Sequence, residues 1–158
     1  MKFVLLFLFV TSLAAQRYNF DESRYISAIS QTFKKSGVIV IEDDSVQISY
    51  NKPTFYKITL NKNGVSIEDD SKNITQLKGK KLLFSKLYLN LIKEINKSAT
   101  PKNSDYFDVK RVENGYELYP KDEMKNYISK LYLHVDGNEL VSFKIVMQNE
   151  DVIEIVKK

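Results

Sequence analysis

Apolar and polar residues alternate along most of this chain, and short polar turns interrupt the alternation at intervals. An alternation of period two is typical of strands with one buried face, and two-residue turns rich in Asn, Asp and Gly join antiparallel hairpins. The pattern predicts a meander of short antiparallel strands that opens at Ser36-Gly37. The turns lie at Asp43-Asp44, Asn63-Gly64, Asn114-Gly115, Asp136-Gly137-Asn138 and Asn149-Glu150-Asp151.

Every second residue of these runs is apolar, which predicts one continuous buried face. The opposite positions carry charged and hydroxyl side chains, so we expect a sheet that meets water on one side only. The predicted apolar face consists of Val46, Ile48, Tyr50, Tyr56, Ile58, Leu60, Val65, Ile67, Phe107, Val109, Tyr116, Leu118, Leu131, Leu133, Val135, Val141, Phe143, Ile145, Met147, Ile153 and Ile155.

One segment, Lys81 to Lys97, follows the helical period instead. Gly79 precedes it, and Ser98 and Pro101 follow it, as expected at helix ends. The spacing predicts an amphipathic helix whose apolar stripe must be buried. The stripe consists of Leu83, Phe84, Leu87, Tyr88, Leu91, Ile92 and Ile95.

Residues 24 to 35 fit two interpretations. Tyr25, Ile29 and Phe33 share a helical face, and together with Gln31 they also share a strand face. We favour a strand.

The number of strands constrains the architecture. Nine or ten strands spaced about 4.8 Å apart make a flat sheet more than about 40 Å wide, whereas a helix is only about 10 Å across. We therefore predict a mainly β fold with a helical lid, in which a curled antiparallel sheet forms an unclosed half-barrel around the helix. Apolar area that the helix leaves uncovered is either closed by side chains or kept as a cavity.

The first fifteen residues have the features of an export signal. Lys2 is followed by the apolar run Phe3 to Val10 and by the small residues Ser12 to Ala15. The apolar run is too short to cross a bilayer. We predict a cleaved signal peptide over residues 1–15 and a single soluble domain over residues 16–158. The chain has no cysteine, which suits a bacterial periplasm.

The residues that could carry chemistry are few. His134 is the only histidine, and alternation places it on the wet face without metal-binding partners. Glu42 to Asp44 and Glu68 to Asp70 are interpreted as solvated acidic turns rather than calcium ligands. No phosphate-binding loop or hydrolase motif occurs in the sequence. We expect no enzyme activity, no cofactor and no metal.

The net charge of +4 falls to +3 when Lys2 leaves with the signal, so nucleic acid is not an expected partner. Lys78 to Lys81 and the terminal Lys157-Lys158 are the dense basic clusters. They are interpreted as solvated surface, with weak attraction to an anionic membrane as the alternative.

Several short motifs, in this order and spacing, resemble the outer-membrane lipoprotein carrier family (LolA-like). The resemblance covers nearly all of the mature chain and indicates a divergent, short member. The motifs are Ile29-Ser30-Gln31, Ser36-Gly37, Tyr50 three residues before Pro53, Asn63-Gly64, the amphipathic helix, Phe107-Asp-Val109, the segment Gly115 to Lys121, and a closing pair of long strands.

The resemblance implies an unclosed barrel with a helical lid, whose apolar lining shields acyl chains of lipoproteins or of another lipid during transfer toward the outer membrane. It also implies an inner-membrane release complex and an outer-membrane acceptor as partners. We expect a monomer. The chain departs from the family where Glu42 to Ser45 replaces an arginine near a proline, in its shorter N-terminal helical segment, and after Val156, where the family continues into a further strand.

The residues expected to line the lipid-binding cavity come from the apolar face and the helix stripe. Aromatic residues are also good strand formers, so core packing alone is the alternative for the tyrosines. Two other functions stay open: a periplasmic sensor or interaction domain with a filled core, and, third, a hydrolase. The predicted lining consists of Val46, Ile48, Tyr50, Tyr56, Ile58, Leu60, Leu87, Leu91, Leu131, Leu133, Phe143 and Ile145.

Overall fold

Eleven strands of the described chain form one antiparallel sheet, and one α-helix packs against its apolar face. The computed structural model describes residues 15–97 and 100–158. Residues 1–14 of the predicted signal peptide lie outside the described residues, and so does Ser98, which was predicted to follow the helix. The elements are β1 Gln16–Ile26, β2 Gln31–Ile41, β3 Val46–Lys52, β4 Tyr56–Asn61, β5 Gly64–Glu68, β6 Ile74–Gln76, α1 Gly79–Lys97, β7 Phe107–Val112, β8 Gly115–Pro120, β9 Ile128–Asp136, β10 Glu139–Met147 and β11 Val152–Lys157.

The sheet consists of two meanders joined at its centre. Its order is β6-β5-β4-β3-β2-β1-β11-β10-β9-β8-β7. From β1 in the middle of the sheet the chain runs outward to β6, crosses to the opposite edge through α1, and returns from β7 to β11, which pairs with β1. In the described part of the chain β6 and β7 do not pair with each other, so the sheet is open.

The buried side chains lie on one face of the sheet, as the alternation predicts. Inward residues of strands from both meanders share one core with the helix, so the sheet curls around α1 rather than lying flat. The predicted half-barrel with a helical lid is confirmed. Between Leu140 and Ser142 the register with β9 shifts, so Leu140 is buried, whereas Val141 of the predicted face is only partly buried.

Residues 24 to 35 form the end of a long hairpin. β1 continues to Ile26, a 3-10 turn covers Ser27–Ile29, and β2 begins at Gln31, so the strand interpretation is confirmed. Residues 16–23 were not expected to form a strand, yet they begin β1 at the centre of the sheet.

The helix is predicted correctly, but its buried face is rotated from the predicted stripe. Leu83 and Phe84 are exposed, whereas Leu89 and Asn96 are buried and Leu82 packs against the core. This face also carries polar Ser85 and Asn96, so a search for apolar spacing alone places its centre incorrectly.

At Gly37 of β2 the neighbouring strand leaves no room for a side chain. A Cβ atom there would overlap the carbonyl oxygen of Ser49 on β3. The overlap is with backbone, which a side-chain rotation cannot relieve. The register shift between Ser36 and Gly37 lies at the same point.

We therefore expect Gly37→Ala to lower the free energy of unfolding by at least about 2 kcal/mol, because the strands must separate or bend. Urea unfolding followed by circular dichroism measures the change. Gly137→Asn is the control: Gly137 has a φ of +57° with open space around it, and asparagine tolerates that conformation. Equal stability of Gly37→Ala and the wild type would contradict the close approach of β2 and β3.

Candidate functional site

A buried carboxylate lies beneath the helix at the centre of the sheet. Glu22 points inward from β1, between Phe20 and Arg24 on the same face, and is only 1% exposed. A charged group taken out of water is costly unless its oxygens are paired. Its neighbours therefore define the candidate site, called the Glu22 cluster: Glu22, Arg24, Lys35, Tyr50, Tyr56 and Tyr88.

One oxygen of Glu22 accepts a hydrogen bond from each of two tyrosine hydroxyls. The hydroxyl of Tyr50 on β3 donates to Oε2 at 2.6 Å, and the hydroxyl of Tyr88 on α1 donates to the same atom at 3.4 Å. The Tyr50 bond is short, as expected for a charged acceptor, whereas the Tyr88 bond is near the limit of a hydrogen bond. The sheet therefore holds Glu22 firmly, and the polar tie from Glu22 to the helix is weak.

The other oxygen of Glu22 faces Arg24. Nη2 of Arg24 lies 3.2 Å from Oε1, an ion pair that lacks hydrogen-bond geometry. Nε of Arg24 is buried without a hydrogen-bond partner. The cluster is thus paired in charge but incompletely hydrogen-bonded, which weakens its contribution to stability.

Lys35 adds a second cation. It lies opposite Glu22 in the register of β1 and β2, yet its Nζ bonds the Tyr56 hydroxyl at 2.7 Å. It also lies 5.0 Å from the centre of the Tyr50 ring, and the rings of Tyr50 and Tyr56 stack 4.4 Å apart. The cluster therefore contains two cations, one carboxylate and a stacked aromatic pair.

Burial sets the protonation of the tyrosines. It raises the pKa of both Tyr50 and Tyr88 well above the ordinary value, and the negative charge of Glu22 raises each further. Both hydroxyls stay protonated at neutral pH and act as donors to the carboxylate.

The twelve residues predicted to line a cavity all belong to the core or pack against it. Nine are buried and three, Tyr56, Ile58 and Leu87, are partly buried. Val46, Ile48 and Leu131 have no exposed surface, so no water-sized space adjoins them. Side chains therefore fill the concave side at these three positions. The nine buried residues are Val46, Ile48, Tyr50, Leu60, Leu91, Leu131, Leu133, Phe143 and Ile145.

A cleft of about 690 Å³ opens next to this core, between the C-terminal end of α1 and strands β1, β10 and β11. Tyr18, Ile95 and Asn96 are among the residues that line it. Burial raises the pKa of the Tyr18 hydroxyl, and a contact with Asn96 opposes that rise. The contact lacks hydrogen-bond geometry, so the Tyr18 hydroxyl and Asn96 Oδ1 are buried polar atoms without a hydrogen bond.

The Glu22 cluster was not predicted from the sequence. Glu22 and Arg24 occupy inward positions of β1, where the alternation would require apolar residues. The sequence does contain a sign of these inward positions. Tyr18 and Phe20 begin a two-residue alternation, and Glu22 and Arg24 continue it on the same face.

The described residues contain neither a group of metal-ligating side chains nor a helix long and apolar enough to cross a membrane. His134 is exposed, as predicted.

The two tyrosine bonds of Glu22 differ in length, and we expect Tyr50→Phe and Tyr88→Phe to differ in stability. Tyr50→Phe should cost about 1.5–3 kcal/mol, because it removes a short bond to a buried charge, and Tyr88→Phe about 0.5–1 kcal/mol. Urea unfolding measures both, with Tyr106→Phe on the exposed surface as the control. If Tyr88→Phe lowers the free energy of unfolding as much as Tyr50→Phe does, or more, Glu22 holds the helix more strongly than the geometry indicates.

Comparisons with known proteins return solved structures at low identity and with TM-scores below 0.5. No protein-family model matches the chain, and no curated protein matches it. A DUF1329 family protein from Desulfovibrio piger has 11% identity and a TM-score of 0.47, over 94% of this chain and 85% of that one.

Two further solved structures bear names from the family that the motifs resemble. A LolA superfamily protein from Nitrosomonas europaea has 9% identity and a TM-score of 0.41, over 91% of this chain and 84% of that one. An outer membrane lipoprotein-sorting protein domain from Vibrio parahaemolyticus has 10% identity and a TM-score of 0.40, over 91% and 83%.

Proposed function

We propose that this protein is a periplasmic carrier that shields acyl chains, of lipoproteins or of another lipid, between its curled sheet and its helix during transfer toward the outer membrane. The observation that supports this most is the way the concave face is covered. A continuous apolar surface contributed by both meanders is covered by one helix, and that helix is attached through side chains. Such a cover can move without breaking the sheet, because strand pairing is independent of it.

The helix is held by apolar contacts and by few polar ones. Tyr88 reaches Glu22 at 3.4 Å, and Lys93 bonds the backbone carbonyl of Asp43. An acyl chain that replaces the helix on the sheet offers the same kind of contact, worth about 0.8 kcal/mol per buried methylene. A long chain can therefore offset the contacts that the helix gives up.

The cleft beside Ile95 supplies a starting point for this exchange. It is next to the buried end of α1, where the Tyr18 hydroxyl and Asn96 Oδ1 lack hydrogen-bond partners and Asn96 Nδ2 donates to the Ile92 carbonyl within the helix. Because these groups are not tied to one another, separating α1 from β1 there breaks no hydrogen bond between them.

The second candidate function is a non-transporting periplasmic sensor or interaction domain with the same shell. The filled core supports it, because residues such as Val46 and Ile48 already have all their surface covered. The two candidates differ in whether the helix gives way to a lipid.

Leu91→Ala separates these candidates. The substitution shortens a buried helix side chain and should cost about 2–5 kcal/mol in either case. In a carrier it also weakens the lid and enlarges the space beneath it, so we expect tighter binding of a fatty acid. Isothermal titration with palmitate measures affinity and stoichiometry, and a rise in melting temperature with palmitate shows that the folded state binds it.

Leu83→Ala on the exposed side of the same helix is the matched control, and it should change neither stability nor affinity. Saturable binding by the wild type that strengthens in Leu91→Ala is the result expected of a carrier. Loss of stability in Leu91→Ala with no saturable binding in any variant would favour the filled-core domain.

A further inference from the structure

On its β2 side, the hairpin formed by β1 and β2 extends beyond its neighbour in the sheet. The two strands pair up to Ile26 and Gln31, whereas β3 pairs with β2 only from Ser36 onward. On the β1 side, β11 pairs with β1 up to Tyr25, and Asp151 accepts a hydrogen bond from the Ser27 amide. Residues 26–35, called here the hairpin tip, therefore leave their β2 edge without a neighbouring strand.

Three large apolar side chains are exposed around the hairpin tip. Tyr25 is 37%, Ile29 54% and Phe33 45% exposed. Phe33 lies opposite Arg24 on the concave face, Tyr25 lies opposite Thr32 on the convex face, and Ile29 lies in the turn between the strands. The apolar groups thus surround the tip instead of forming one flat patch.

Lysines accompany these apolar groups on the β2 side. Lys34, Lys35 and Lys52 line one cleft of about 370 Å³, and among the described residues none of the three forms an ion pair. The segment from Arg24 to Lys35 contains no acidic residue.

The acidic groups near the tip lie in the cleft and on the β1 side. In the cleft, Asp21 pairs with Lys158 and Glu22 with Arg24, and Glu154 is the third carboxylate. On the β1 side, Asp151 accepts the Ser27 amide at 2.8 Å and Glu150 accepts the Ser27 hydroxyl at 3.5 Å. The positive charge is therefore concentrated on the β2 side.

We propose that the hairpin tip docks with its β2 side into the surface of an anionic membrane. Ile29 and Phe33 enter the interfacial layer, Tyr25 lies at headgroup level, and Lys34 and Lys52 face the acidic headgroups. The two lysines favour an anionic surface as the partner, and Glu150 and Asp151 on the β1 side stay in water. This docking is separate from acyl-chain carriage and holds whether or not the core binds lipid.

Co-sedimentation with vesicles tests the proposal. The exported form, residues 16–158, is mixed with phosphatidylcholine vesicles or with vesicles that also contain phosphatidylglycerol. We expect binding to the mixed vesicles that weakens as salt is raised. The pair Ile29→Ser and Phe33→Ser should weaken it about tenfold, and the pair Lys34→Gln and Lys52→Gln about tenfold on anionic vesicles only.

Matched control variants carry the same changes elsewhere on the surface. Ile74→Ser with Leu83→Ser removes two other exposed apolar residues, and Lys80→Gln with Lys81→Gln removes two other exposed lysines. The controls should bind as the wild type does, with circular dichroism showing that all variants stay folded.

Three results would overturn membrane docking. The first is no binding to anionic vesicles, and the second is an equal loss of vesicle binding in the tip and control variants. The third is complete release of the protein from the vesicles by inorganic phosphate at an ionic strength where chloride releases little of it. The last result would assign the lysine cleft to free phosphate instead of a membrane.

Discussion

An open antiparallel sheet with one apolar face is stable in water only if something covers that face, and in this protein the cover is a single helix. The sheet curls so that strands of both meanders reach the helix, and their inward side chains share one core with it. The chain path gives the helix a second role, because α1 is also the connection from edge strand β6 to edge strand β7. The cover is therefore tethered at both ends, so it can leave the sheet face without leaving the molecule.

The Glu22 cluster affects how firmly this cover is held. A carboxylate buried beneath a helix costs desolvation energy that one short bond from Tyr50 and an ion pair with Arg24 only partly recover. An apolar residue at this position would give a drier and more stable contact with α1. Glu22 therefore weakens the hold of the sheet on the helix, which is what the proposed carrier function requires.

The sequence predicts most of the fold because most inward positions are apolar. Strands β3 and β4 follow period two closely, and their buried residues match the predicted face, whereas Ile128 of β9 and Leu140 of β10 are buried outside it. Residues 16–23 of β1 escape prediction because Glu22 stands at an inward position among them, so a charge that forms the candidate site also hides the strand that carries it. The helix face is displaced for a related reason, since buried Asn96 does not count toward an apolar stripe. Whether the concave side is open or filled depends on how side chains pack across the sheet, which periodicity does not specify.

The central claim is that an acyl chain displaces α1 from the concave face while the sheet stays intact. The chain has no cysteine, so Asn90→Cys on the exposed side of α1 and Ser129→Cys on the outer face of β9 give two unique sites for spin labels. Pulsed electron spin resonance then measures the distance between them with and without palmitate. A second, longer distance that grows with palmitate until it saturates is the result expected. An unchanged distance at a palmitate concentration that saturates binding would contradict the account.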